Sequence, residues 1–188
     1  MVGVQHHPAL AVIELGSIAR GVFVVDALVK RAEVQLVLAD PVTPGKLLIV
    51  FAGDVAEVEE ALGAAREAAA EEELDVLFLP FVHPAVASAL LELERPPIDG
   101  ALGVLEMRTV AATILAGDAA LKAADTRLVA MHLARGIGGK GYVVLTGAQD
   151  AVEASLDAGE GCVDPEHRAG RELIPRPHPD LDWALGRL

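Results

Sequence analysis

Apolar residues come in short blocks along this chain, parted by acidic stretches and by breaks rich in glycine or proline. "ALAVIEL" (9–15) reads as a short apolar strand. Ser17 then stands where a helix cap is needed. Residues 18–31 carry Ala, Val, Leu and Gly around most of a helical circumference, which predicts a largely buried helix. "EVQLVLADP" (33–41) and "KLLIVFAG" (46–53) read as two strands joined by a tight loop. "DVAEVEEALGAAREAAAEEE" (54–73) is an amphipathic, acidic helix with Asp54 at its cap, and "DVLFLP" (75–80) closes the series.

The same series then recurs. Residues 9–32 align without a gap on 101–124, bringing Glu14, Asp26 and Lys30 into register with Glu106, Asp118 and Lys122. Residues 46–64 align on 140–158, pairing Lys46 with Lys140, Gly53 with Gly147 and Glu59 with Glu153. "LPFVHPAVASAL" (79–90) falls on "IPRPHPDLDWAL" (174–185), so Pro80, His83 and Pro84 match Pro175, His178 and Pro179. Three collinear blocks mark a tandem duplication. In the second copy Thr109 takes the cap position before a helix over 110–123, and it too should be largely buried. The copies differ where "GEGCVDPEHRAG" (159–170) replaces the end of the second helix, because Pro165 cannot continue it. "RELI" (171–174) is the last strand, and "PRPHPD" (175–180) is a stiff connector to a short terminal helix.

Each copy thus reads βαββαβ, the order of a ferredoxin-like split βαβ unit with an antiparallel sheet and helices: an α+β fold, twice. The boundaries fall at 1–93 for the first domain and 101–188 for the second, with "ERPPIDG" (94–100) as linker.

Composition adds a need for partners. Apolar residues make up 53% of the chain and aromatic ones only 3%, so aliphatic side chains and 18 glycines must build the core. That much aliphatic surface is hard to bury in units this small, and oligomerisation covers the remainder. With 15 basic against 28 acidic residues, the net charge of −13 argues against a nucleic-acid partner. The one cysteine, Cys162, forms no internal disulfide and suits the reducing cytosol. The opening "MVGVQHHPA" lacks the features of a signal peptide, and no apolar run reaches membrane-spanning length. A soluble cytoplasmic protein that associates with copies of itself is expected.

Candidate chemistry is sparse. "RGIGGKG" (135–141) fails as a phosphate loop: Ala134 replaces its first glycine, Gly141 its Ser/Thr, and a strand follows instead of a helix. A glycine-rich hairpin remains, matched in the first copy by "TPG" (43–45). Asp26/Lys30 and Asp118/Lys122 stand four apart, able to pair on a helix surface for roughly 0.2–0.5 kcal/mol each. The six histidines show no metal-ligand spacing, and Cys162 has no evident base. The carboxylates spread along helix faces as a solvated surface does. No active site, metal site or cofactor is expected.

The strand "ALGVLE", the helix end "DAALKAA", the glycine loop before "KGYVVLTG" and the closing "IPRPHPD" together resemble the domain signature of bacterial microcompartment shell proteins. Two such domains in one chain resemble the tandem, trimer-forming, non-permuted class, over roughly residues 9–187. The resemblance implies a homotrimeric disc with pseudo-sixfold symmetry and a central pore for small metabolites. Such discs tile the shell with hexameric and pentameric shell proteins around encapsulated enzymes. It places Lys30, Lys122 and Arg176 at the disc edge, with His83 and His178 in the same proline-rich motif, whose rigidity lowers the entropy lost on docking. Phe81 stands where the second copy has Arg176, so alternate edges differ. Thr43, Pro44 and Gly45 would alternate with Gly136, Ile137, Gly138 and Gly139 around the pore.

Such loops present mainly backbone groups, and Arg135, Lys46 and Lys140 would add positive potential, so a pore favouring small anionic or polar metabolites is expected. Some tandem shell proteins hold an iron–sulfur cluster through cysteines in this loop. Neither loop here carries one, which argues against a cluster. A rival function from another class is a regulatory trimer of ferredoxin-like domains binding a small ligand at subunit clefts.

Overall fold

A computed structural model describes residues 8–90 and 96–181. Its contacts divide the chain into two compact units, 1–84 and 85–188. The first holds β1 (Ala9–Leu15), α1 (Ile18–Arg31), β2 (Gln35–Val42), β3 (Lys46–Gly53), α2 (Val55–Ala69) and β4 (Glu73–Leu79). Next comes α3 (Pro84–Leu90), a short helix opened by proline at the position where its missing N–H costs nothing. The second unit holds β5 (Ala101–Met107), α4 (Val110–Ala123), β6 (Arg127–Leu133), β7 (Gly141–Gly147), α5 (Gln149–Gly161) and β8 (Arg168–Ile174). Linker residues 94 and 95, and residues 182–188 of the stretch "LDWALGRL" where the short terminal helix is expected, lie outside the described residues.

Each unit is one four-stranded antiparallel sheet with matching orders, β2-β3-β1-β4 and β6-β7-β5-β8. The duplication extends to irregularities. The register of β1 on β4 shifts between Glu14 and Leu15, and that of β5 on β8 shifts between Glu106 and Met107. A second pair of shifts falls at Leu36/Leu38 and Leu128/Ala130. Such bulges, kept at equivalent places in both copies, are designed features of the unit.

Both cap expectations hold: Ser17 accepts the Arg20 N–H and Thr109 the Ala112 N–H, each at 3.2 Å. Asp54 occupies the cap position of α2, but its side chain makes no capping bond. In the first unit, alternate residues of β1 (Ala9, Ala11, Ile13, Leu15) share a core with Val24 and Leu28 of α1 and Val58, Ala61 and Ala65 of α2. Both helices therefore lie on one face of the sheet. At the tightest point a Cβ on Gly21 would overlap the Leu47 side chain, lying 2.9 Å from its Cβ. The second copy inverts this contact: Thr113 takes the place of Gly21, and Gly141 takes the place of Leu47.

Two expectations are corrected. The helix over 110–123 is buried almost throughout, but α1 buries only Gly21, Val24 and Leu28. Ile18, Val22, Phe23 and Val29 face outward, because only the 21–24–28 ridge reaches the sheet. The last strand also begins at Arg168, earlier than Arg171, since pairing with β5 continues to Met107. The 159–170 segment otherwise behaves as read: α5 stops at Gly161, and Pro165 opens a single 3-10 turn. Arg171 then ties β8 to α5 by reaching Asp157 at 2.6 Å and Glu160 at 2.9 Å.

Candidate assembly edges and pore loops

Sheet register separates the candidate residues into two groups. One row across the first sheet runs Gln35, Ala52, Leu10, Leu79. Beyond Leu79 lies the proline-rich loop, and just before Gln35 lies the C-terminal end of α1 with Lys30. At the other end of β1, Leu15 pairs with Leu47 and Leu47 with Pro41, which puts the Thr43–Gly45 hairpin there. The second sheet repeats the layout. Arg127, Thr146, Leu102 and Ile174 form the row beside Lys122 and Arg176, while Leu133, Gly141 and Met107 form the row beneath the glycine loop. The two ends of a strand of this length stand about 20 Å apart. In each unit, then, the helix-end lysine and the proline-rich loop share one end of the sheet, and the hairpin loop occupies the other.

At the first end, Lys30 Nζ sits 2.6 Å from Asp26 Oδ2 with both side chains exposed. Lys122 Nζ sits 2.5 Å from Asp118 Oδ2, but this carboxylate is almost wholly buried. Both ammonium groups lie in the last helical turn, where the helix dipole favours positive charge. In the first proline-rich loop the Val82 N–H donates to the Pro8 carbonyl at 3.0 Å, pinning the loop beside the start of β1. Phe81 is exposed there and His83 is half-buried. In the second loop Arg176 and His178 are both exposed. The Asp180 N–H donates to His178 Nδ1 at 3.3 Å and the Leu181 N–H to the His178 carbonyl at 2.9 Å, so the loop holds its own shape.

At the other end, Gly45 closes the first hairpin with φ at +116° and its N–H on the Val42 carbonyl at 2.8 Å. The second loop needs left-handed backbone at Ala134, Gly136, Gly138 and Gly139. It has a support of its own. His132 Nε2 bonds the Arg135 carbonyl at 2.7 Å, and its ring stacks on Tyr142 with centroids 5.2 Å apart. The first copy has Asp40 and Leu48 at those positions. Ile137 is half-buried.

The expected positive potential is reduced. Lys46 Nζ turns back to Glu14 Oε2 at 3.3 Å, and Lys140 Nζ reaches Glu106 Oε1 at 2.5 Å. Each lysine is offset by a carboxylate of the central strand, at the bulge. The sequence showed that all four residues recur but not that they meet, because the partners lie over thirty residues apart and only the register joins them.

Among the described residues no group of three or more His, Cys, Asp or Glu could hold a metal ion. Cys162 donates its thiol to the Gly159 carbonyl at 3.3 Å, and burial pushes the thiol above its ordinary value. A raised value leaves less thiolate at neutral pH. Cys162 is therefore expected to react with iodoacetamide more slowly than free cysteine at pH 7; a faster rate would reveal an activated thiol.

Fold and site together define a class: a tandem α+β protein whose two units repeat one layout of helix-end lysine, proline-rich loop and hairpin loop. The BMC domain family matches the chain twice, at residues 9–82 and 101–177. Bacterial microcompartment shell protein PduT of Citrobacter freundii is 37% identical over 174 residues, spanning 92% of this chain and 95% of its own. Carboxysome shell protein CsoS1 of Prochlorococcus marinus is 38% identical over 93 residues, covering 46% of this chain and 84% of its own. Among solved structures, a microcompartment protein from Desulfitobacterium hafniense superimposes with a TM-score of 0.85 at 37% identity, covering 97% of this chain and 99% of that one. A fused permuted hexameric shell protein shares the fold at a TM-score of 0.62 and 24% identity, over 85% of this chain and 83% of its own. The chain belongs to the BMC domain family, as a tandem-domain microcompartment shell protein with a structural role.

Proposed function

We propose that three copies of this chain close into a flat pseudohexameric disc that tiles a microcompartment shell beside hexameric and pentameric shell proteins. The domains would be 1–93 and 101–188, joined by 94–100. The hairpin loops would ring a central pore for small metabolites, and Lys30, Lys122 and Arg176 would stand at the rim with His83 and His178. The observation that carries this reading is the separation of the two groups to opposite ends of each sheet. A disc needs such a separation, with one end inward at the axis and the other outward at its neighbours. With Lys46 and Lys140 each beside a glutamate, the passage would be lined by loop backbone and the exposed Arg135, which suits small polar or anionic solutes. The disc is read as non-catalytic.

The rival is a regulatory trimer that binds a small ligand at subunit clefts. A groove of about 510 Å³ runs along α2, lined by Arg31, Glu59, Glu60 and Glu67. Three glutamates face its one arginine, which pairs with Glu60 at 2.7 Å, so the groove is acidic and does not suit nucleotides or other anions.

Lys30→Ala and Arg176→Ala test the rim. Both side chains are exposed, and removing an exposed i,i+4 pair costs only about 0.2–0.5 kcal/mol of folding. In light scattering each variant should match the mass of the wild type, but it should form fewer sheets or shells when co-expressed with a hexameric shell protein and imaged by electron microscopy. Unchanged tiling, or loss of the oligomer, would overturn the rim assignment. Lys122→Ala is the poorer probe, because it also strips a partner from nearly buried Asp118.

A further inference from the structure

The two units repeat one backbone at the hairpin end of the sheet but carry different charges there. In the second unit the row Leu133, Gly141, Met107, Arg168 marks this end. Arg108 follows Met107, and its N–H donates to the His167 carbonyl at 2.8 Å. In the first unit Gly16 follows Leu15, and its N–H donates to the Glu72 carbonyl at 2.9 Å. Leu15 pairs with Glu73 as Met107 pairs with Arg168. Gly16, Glu72 and Glu73 thus stand where the second unit has Arg108, His167 and Arg168. The loops differ in the same sense: Arg135 opens the second, while Thr43, Pro44 and Gly45 hold no cation.

Arg108 is exposed, and among the described residues no carboxylate pairs with it. Arg168 donates from Nε to the Val163 carbonyl at 2.8 Å, which fixes its guanidinium, and no described carboxylate pairs with it either. Arg135 is exposed on the loop, and the His132 bond to its carbonyl holds the backbone that presents it. Of the carboxylates nearby, Glu106 is taken by Lys140, Glu166 lies 3.8 Å from His167, and Asp164 shares that turn. At the matching end of the first unit, Arg66 is taken by Glu73 at 3.0 Å. Neighbouring strands lie about 4.8 Å apart, so Arg108 and Arg168 start one spacing apart and Arg135 about 10 Å from Arg108. We propose that Arg108, Arg135 and Arg168 form a site for a small multivalent oxyanion, one carrying two or more phosphate or carboxylate groups, and that the first unit has no counterpart. Planar guanidinium groups meet such oxyanions with paired N–H donors. The place of this site at the mouth of a passage rests on the disc reading; the binding itself does not.

Calorimetric titration of the whole chain with pyrophosphate and with citrate, at low ionic strength, tests it. At least one should bind saturably, with a Kd that rises on adding sodium chloride, and the tighter of the two names the group recognised. Arg108→Gln and Arg135→Gln should each raise that Kd about threefold or more. Arg127→Gln removes the same charge at the other end of the same sheet and should leave the Kd unchanged. Should Arg108→Gln fail to fold by far-UV circular dichroism, Arg135→Gln decides by the same readout. No saturable binding, or an equal loss in Arg127→Gln, overturns the site and leaves the disc standing. A wild type that is monomeric in light scattering overturns the disc, while binding that Arg108→Gln weakens and Arg127→Gln spares still upholds the site.

Discussion

Lys46→Met is expected to lower the unfolding free energy by about 3 kcal/mol, while Lys140→Met costs less than about 1 kcal/mol. Both lysines pair with the glutamate of a central-strand bulge, but the surroundings differ. Glu14 is fully buried, and the side chain of Glu106 is 36% exposed. Methionine keeps the apolar stem and removes the charge, so the carboxylate is left to lose its partner. A buried carboxylate that loses its cation is left with a larger desolvation cost, whereas a half-exposed one recruits water. Denaturant unfolding at one fixed protein concentration measures both, since oligomerisation links stability to concentration. Equal losses in the two copies would show that the burial of Glu14 does not set the strength of its pair.

The second large effect concerns the inverted contact between the first helix and the hairpin strand. Gly21→Thr alone should cost about 1–3 kcal/mol, because the new Cβ overlaps the fully enclosed Leu47 side chain. Leu47→Gly alone should cost about 3 kcal/mol or more through the cavity it leaves. The double variant restores the pairing found in the other copy, where Gly141 leaves room for Thr113 and the Thr113 hydroxyl donates to the Thr109 carbonyl at 2.7 Å. Its loss should fall short of the sum of the two by about 1–3 kcal/mol. Strict additivity would mean that the two positions do not answer each other. The reverse change, Gly141→Leu, is the harsher test of the second copy, because a Cβ there also lies 2.8 Å from the His132 carbonyl, which is backbone and cannot turn away.

Much of the fold was legible because the chain states it twice. β1, α1, β3 and α4 carry the expected bounds, since Ser17 and Thr109 mark helix starts and glycine marks strand ends. The family resemblance, carried by four short motifs in order, agrees with the matched domains. The helix-end lysines and the two hairpin loops were also visible, as repeated residues at constant spacing. These are local signals: capping, period and turn chemistry act over a few residues, and sequence spacing records them directly.

Three matters were decided only in three dimensions. The Glu14–Lys46 and Glu106–Lys140 pairs depend on strand register, which no local spacing encodes. The division of rim and pore candidates between opposite ends of each sheet depends on the strand order β2-β3-β1-β4, which the order of elements along the chain does not by itself settle. Above all, α1 and α4 carry apolar residues at the same stripe positions, 18, 22 and 29 against 110, 114 and 121, yet one stripe is exposed and the other covered. Apolar periodicity says that a face must be buried. What buries it is set by surfaces distant in sequence, which local spacing does not record.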